Sequence, residues 1–390
     1  MTNIRGQAYI AGIYEHPGRE LPDLTLPQVH AEVCRGALAD AGLSLSDVDA
    51  FYCAGDSPGF GGLSMADYLG LRVRTLDSTE TGGSSYLFHA GHAAAMIAAG
   101  KCHVALVTLG GKPRTGGAAP GGAGRMSSAP ESAFENMWGG TVYGNYALAA
   151  ARHMYEFGTT SEQLAEIKVA AAEHAQHNPN ALLRKTTTVE EVVASPVVAD
   201  PLHRDDCCVI TDGGGAFVMV SAEVARSLDR RCAKVLGTGE AVKHSDRGRP
   251  DLTYTGAVWS GPAAFEEAGV TPADIDYASI YDSFTITVLI TLEDLGFCAK
   301  GEGGRFVADG GLQARGGKLP FNTDGGGLCN NHPGNRGGMT KVLEAVRQVR
   351  GEAHPEVQVP DCRLALAHGT GGAISTRMGS ATLILGSDDA

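Results

Sequence analysis

Aromatic side chains are scarce in this chain, at 6% of 390 residues. Cations are outnumbered as well: 31 Lys and Arg stand against 44 Asp and Glu, a net charge of −13. That balance excludes a nucleic-acid partner, because phosphate binding needs clustered Lys and Arg. It argues equally against an anionic membrane surface. Long apolar runs are lacking too. None reaches the ~18 residues that a membrane span requires, and the opening MTNIRGQAYIAGIY has no run suited to a secretory leader. No CxxC pair occurs among the nine cysteines, Cys34, Cys53, Cys102, Cys207, Cys208, Cys232, Cys298, Cys329 and Cys362. Their odd number speaks for free thiols in a reducing cytoplasm. A zinc site inside the chain is not expected.

What the chain has in quantity is glycine, 54 residues, within a composition that is 43% hydrophobic. Apolar runs recur throughout, so the composition implies close backbone packing and tight loops, not disorder. At ~100–200 residues per domain, two units are expected. Ala8–Ile13, Val48–Cys53 and Val104–Leu109 read as strands. Leu26–Ala41 and Ser84–Ala99 read as helices stopped by Gly42 and Gly100. This alternation predicts an α/β fold with parallel pairing. Residues 111–140, rich in Gly, Ser and Pro, break the pattern as a long loop or lid. Thr141–Gly158 and Ser161–Asn178 are expected to be helical, with Ser161 as an N-cap. Val197–Leu202 and Phe217–Ser221 are expected to be extended, with the glycines of TDGGGA in the loop before the second.

An internal repeat organises the rest. Residues 37–49 read ALADAGLSLSDVD and residues 264–276 read AFEEAGVTPADID. Each is a helix end, a glycine stop, a capped short turn and the start of a strand. HVALVTLGG at 103–111 parallels RLALAHGTGG at 363–372. The order of these segments predicts two duplicated halves, residues 1–235, with a loop insertion at about 111–200, and residues 236–390. Their equivalent loops, around Gly83 and His332, then face one crevice. Ligands of open α/β folds sit there, at the carboxyl ends of strands.

Four segments together resemble the thiolase superfamily: YDSFTITVLITLEDLGFCAKGEGGRFVADGG at 281–311, LPFNTDGGG at 319–327, NHPGNRGG at 331–338 and AHGTGGA at 367–373. The similarity is to sterol-carrier-protein-type thiolases and their bacterial thiolase-like relatives, including the steroid side-chain aldolases. It runs over nearly the whole chain. It implies the thiolase fold: two βαβαβ-type halves in a five-layered αβαβα arrangement with an inserted loop domain. In such thiolases a nucleophilic cysteine starts a helix in the first half. The matching segment here is ETGGSSYLFHAGHAAAMIAAG at 80–100, and the cysteine's position falls on Gly83. Asn331-His332-Pro333 resembles the motif whose histidine helps bind the thioester oxygen. Tyr281-Asp282-Ser283-Phe284 replaces the family's Asn-Glu-Ala-Phe or His-Asp-Cys-Phe. Relatives that resemble the aldolases carry the same tyrosine, and place a second one where this chain has His332. In His368-Gly369-Thr370-Gly371-Gly372, His368 stands where many thiolases have a second cysteine.

On this resemblance Tyr281, His332, Asp282 and His368 are the candidate catalytic residues. Gly82, Gly83, Ser84 and Gly371 are candidates for the oxyanion and nucleophile loops. Arg184, Lys185, His203 and Arg204 are candidate contacts for CoA phosphates, since an acidic protein needs a local basic rim for that ligand. No metal and no cofactor are expected, the CoA thioester being the substrate. Without a thiolate, the expected reaction is retro-aldol cleavage of a β-hydroxyacyl-CoA, with donors at His332 and the Gly82–Ser84 amides holding an enolate. Tyr281 is the expected proton carrier. A phenol of ordinary pKa ~10 acts more readily as an acid than as a base, so Asp282 or His368 would balance it. Two other readings stand beside this one. The first is thiolytic or Claisen chemistry with Ser84, Ser85 or Cys329 as nucleophile. The second is a non-catalytic acyl-CoA or sterol-binding subunit. The resemblance also implies a homodimer and a small zinc-ribbon, OB-fold partner protein.

Overall fold

Local signals set the first elements. β1 (Ala8–Glu15) leads into α1 (Leu26–Ala41). Ahead of the helix, the Thr25 amide and hydroxyl both donate to Gln28 Oε1 at 2.8 Å. Pro27 stands in the first turn and Gly42, at φ 70°, closes the other end. The helix therefore has the bounds its sequence predicts. The computed structural model describes residues 4–54, 57–116, 141–246, 249–334, 337–372 and 378–388. Most of the expected lid, residues 117–140, lies outside them.

The first half continues through β2 (Ala50–Cys53), α2 (Gly62–Leu69), β3 (Thr75–Asp77), α3 (Ser85–Ala98) and β4 (Val104–Gly111). From residue 141 on come α4 (Val142–Phe157), α5 (Ser161–Ala175), α6 (Val189–Val193) and the short pair β5 (Val197–Ala199) and β6 (Leu202–His203). β7 (Gly213–Ser221) and α7 (Ala222–Ser227) close the half. The second half holds β8 (Ala233–Lys243), α8 (Ala257–Ala268), β9 (Tyr277–Ile280), α9 (Thr285–Asp294), α10 (Gly303–Val307), α11 (Gly338–Arg350), β10 (Leu364–Gly372) and β11 (Met378–Gly386).

Nine strands form one sheet, in the order β3-β2-β4-β7-β1-β8-β11-β10-β9. The order carries the duplication. The run β2-β4-β7-β1 has its counterpart in β9-β10-β11-β8, and the antiparallel β1–β8 pair is the seam. The repeated sequence makes repeated bonds. Gly42 and Gly269 both adopt left-handed φ, 70° and 67°. The Ser44 amide donates to Asp47 at 2.8 Å, and the Thr271 amide donates to Asp274 at 2.8 Å. Asp49 then accepts from the amides of His103 and Val104, as Asp276 accepts from those of Arg363 and Leu364. Each aspartate ties the strand after the turn to its parallel neighbour.

The sheet bends around α3 and α11, which touch strands of both halves. α1 covers β1, β4 and β7 from one outer side, and α8 covers β8 and β11 from the other. The layering is αβαβα. α3 is rich in alanine because it lies between two sheet surfaces; Ala90, Ala93 and Ala94 are fully buried. A central core gathers Leu87, Phe217, Tyr277, Met339 and Val342, while outer cores sit under α1 and under α8 with α4 and α5.

Three expectations are corrected. Ser161 is the first helical residue; Thr160 is the cap, its hydroxyl accepting from the Gln163 amide. Val197–Leu202 is not one strand but the turn-linked pair β5 and β6. The glycines of TDGGGA belong to β7, not to a loop. A Cβ at Gly215 would stand 2.8 Å from Met339 and 3.0 Å from Leu343, so the strand is glycine because α11 lies directly on it.

Candidate active site

The loop Gly82–Ser84 is a single 3-10 turn before α3, and it is pressed into a bed of glycines. Gly82 has φ 69°, and a Cβ there would stand 3.0 Å from Gly371. A Cβ at Gly369 would meet the Gly83 carbonyl at 3.1 Å, and one at Gly338 or Gly371 would overlap the loop backbone outright. Glycine at these positions is thus set by close approach of three chain segments. Ser84 is fully buried, and its hydroxyl donates to the Thr81 carbonyl at 2.9 Å. Ser85 accepts from the Thr81 amide at 2.9 Å. The Gly82 amide donates to Glu80 Oε1 at 2.9 Å.

Tyr281 follows the last residue of β9, and its amide donates to the His368 carbonyl at 2.9 Å. Its ring lies over Gly83: a Cβ at 83 would stand 2.5 Å from Cε2 and 2.6 Å from Cζ. Its hydroxyl bonds His332 Nε2 at 2.9 Å. Both side chains are buried. Burial pushes the His332 imidazole down to about 4, against the opposing pull of Asp282. The histidine is therefore neutral at physiological pH. It is fixed from behind. Its amide donates to Thr211 Oγ1 at 2.9 Å, the Thr211 hydroxyl donates to Asn331 Oδ1 at 2.7 Å, and Asn331 Nδ2 donates to Glu15 at 3.0 Å.

Asp282 does not face the hydroxyl of Tyr281. Its carboxylate accepts from the Gly327 and Leu328 amides at 2.8 and 3.1 Å, and pairs with Lys341 at 2.8 Å with both side chains buried. Those bonds hold the turn Gly326–Asn330 that precedes His332. Asp282 is thus engaged by this turn and by Lys341, with no hydrogen bond to the Tyr281 hydroxyl among the described residues.

His368 turns the other way. Ala365 and Ala367 of β10 face the central core, so His368 shares the opposite face with Leu366. Its Nδ1 bonds Thr382 at 2.9 Å, and Thr382 bonds Ser260 of α8. Its Nε2 has no hydrogen-bond partner among the described residues, and burial takes the ring down to about 3. Gly369, not His368, looks onto the Gly83 loop.

The candidate CoA contacts divide. Arg184 and Lys185 follow Leu183, whose amide donates to the Cys329 carbonyl beside the site. His203 and Arg204 precede the segment whose Cys208 and Val209 amides donate to Ser283 and Gly327. Both pairs thus flank the turn before His332 on separate segments. Lys185 and Arg204 are exposed and face Glu191 and Asp205. Cys329 is buried, and burial raises its thiol in spite of Lys168 beside it. Among the described residues no group of three or more His, Cys, Asp or Glu is placed to hold a metal.

Sequence reasoning missed Lys341, Glu15 and Thr211. Lys341 left no local signal: it shares the polar side of GMTKVLEAVRQVR with Glu344 and Gln348, and only the packing around α11 buries it.

Known proteins bear on this arrangement. Residues 239–387 match the family described as "Thiolase C-terminal domain-like". An acetyl-CoA acetyltransferase of Methanothermobacter thermautotrophicus is 33% identical, over 93% of this chain and 96% of that protein. The chain belongs to the thiolase superfamily. Within that superfamily, a steroid side-chain-cleaving aldolase of Thermomonospora curvata is 32% identical over 90% of this chain and 92% of the aldolase. The solved Ltp2-ChsH2(DUF35) aldolase superposes with a TM-score of 0.88 at 32% identity, covering 99% of each chain. The thiolase fold thus carries both a transferase and aldolases among similar proteins, and the chemistry must be read from the site. No described helix is long and apolar enough to cross a membrane.

Proposed function

We propose that this thiolase-family enzyme is an acyl-CoA-dependent carbon–carbon lyase. It splits a β-hydroxyacyl-CoA by retro-aldol cleavage into a ketone or aldehyde and a shorter acyl-CoA. The observation that carries this reading is the 2.9 Å bond between Tyr281 Oη and His332 Nε2, made over a loop that presents no nucleophile.

The pair resolves the difficulty of a phenol acting as a base. As Tyr281 takes the proton of the β-hydroxyl, it passes its own to the neutral His332, and no free phenolate is needed. The hydroxyl electrons form the new carbonyl, the Cα–Cβ bond breaks, and its pair moves onto the thioester as an enolate. The proton then returns through Tyr281 to Cα. The start of α3, with its positive dipole end, favours the enolate oxygen. The thiolytic alternative has no support in the placement of its nucleophiles. Ser84 and Ser85 are bound to Thr81, and Cys329 is a buried, raised thiol.

The aldolase relative was solved together with a DUF35 protein. By analogy this chain takes a partner of the same class, the small zinc-ribbon, OB-fold type. A homodimer is supported by β3, which ends the sheet beside exposed Phe60, Leu63 and Leu76.

The test is turnover of a panel of β-hydroxyacyl-CoA esters, with and without the DUF35 partner, followed by mass spectrometry of both products. Tyr281→Phe is expected to lower kcat by about 10²–10⁴-fold, the contribution of a positioned acid–base group, while acyl-CoA binding persists. Full turnover by that variant would sink the assignment.

A further inference from the structure

The space above Gly83 is already filled. A Cβ there would meet the Tyr281 ring at 2.5 and 2.6 Å, and would come closer still to the Thr370 carbonyl of β10. The ring cannot yield by rotating freely, because its hydroxyl is bonded to His332 and its backbone to His368. Gly337 lies against the same ring, its own Cβ position 2.9 Å from Tyr281 and 3.0 Å from His332. A side chain at position 83 and the Tyr281–His332 bond therefore compete for one volume.

From this overlap we infer that position 83 and Tyr281 form a steric either/or that fixes the reaction type. With glycine at 83, the ring seats and the site runs proton transfer without a covalent intermediate. With a side chain at 83, the ring is displaced and the hydroxyl leaves His332. The inference rests on the lyase reading and goes beyond it. It names what keeps acyl transfer out: a packed ring, beside the Thr370 carbonyl, and not merely a missing thiol. It also says what would let acyl transfer in. A thiol at 83, at the start of the 14-residue α3, would have the helix end to favour its thiolate once the ring is cut away. Its sulfur would attack the thioester carbon. The new C–S bond would replace the bond to CoA, and CoA would leave as its thiol with the proton of the protein thiol.

A denaturation cycle reads the overlap directly. Gly83→Ala is expected to lower the urea midpoint in both backgrounds, because the Thr370 carbonyl stays in each, and by more in the natural background than in Tyr281→Ala. Gly82→Ala, whose neighbours are Gly371 and Gly372, is expected to lose equally in both. Equal losses for Gly83→Ala in both backgrounds would place the obstruction on Thr370 alone and overturn the inference. In the lyase assay Gly83→Ala should lose more than about tenfold in kcat with KM little changed, since a misplaced ring costs rate before it costs binding. The thiol arm uses acetyl-CoA and intact-protein mass spectrometry. Gly83→Cys with Tyr281→Ala should gain one acetyl group and Gly83→Cys alone should gain none. Equal labelling of the two overturns the inference as well. A natural enzyme without lyase turnover would instead defeat the proposed function, and the midpoints and masses would still report on the overlap.

Discussion

At the scale of single residues, the site depends on groups kept neutral or paired by burial. His332 is the clearest case. Its imidazole sits near 4, well below the ordinary histidine value. If His332 accepts the relayed proton, the acid limb of kcat/KM belongs near pH 4 and not near 6.5. A limb at 6.5 in a pH–rate profile would deny it that role. His89 and His174 also sit near 4, and His368 near 3, each for the same reason of burial. All are depressed below their unfolded value, so the unfolded chain binds their protons first. The stability tied to them is complete above ~6.5 and falls as pH drops toward ~4, by on the order of 1 kcal/mol per group and pH unit. Urea midpoints at pH 7 and 5 check the direction. Lys341 makes the complementary case. Lys341→Met leaves Asp282 buried without its cation, which costs about 3 kcal/mol. Activity should fall with it, because Asp282 holds the turn before His332. The lysine stayed hidden in the sequence because its partner lies 59 positions away, on an element whose packing no local pattern reveals.

At the scale of elements, what could be read depended on whether a signal was local. α1 was legible because Thr25, Pro27 and Gly42 mark it within its own turns. The repeat was legible because a capped turn is a short-range object. β7 was not, since three glycines ordinarily spell a turn and here mark close packing against α1, β4 and α11. Two substitutions separate these causes. A Cβ at Gly214 runs into the Leu109 carbonyl, a rigid backbone atom, whereas one at Gly215 meets the movable ends of Met339 and Leu343. Gly214→Ala should therefore cost about 2–3 kcal/mol, and Gly215→Ala about 1. Similar losses in thermal melts would contradict the backbone argument. The face that His368 takes was hidden for a related reason. A motif places a residue along a strand, but only the phase of the strand says which face it takes.

At the scale of the whole molecule, the duplication was visible in sequence as two copies of one turn, and the fold turns it into matched four-strand runs. Composition could not say that the runs would join into one sheet. That joining depends on β1 and β8 meeting edge to edge, Tyr9 opposite Lys234 and Ile10 opposite Ala233. The seam has a mechanical consequence. The Gly83 loop belongs to one half and the Tyr281–His332 pair to the other, yet both hang from one hydrogen-bonded sheet. No hinge between the halves can open without breaking that ladder or peeling the sheet from α3 and α11. The floor of the candidate site is therefore a fixed plate, shared by both halves of the chain.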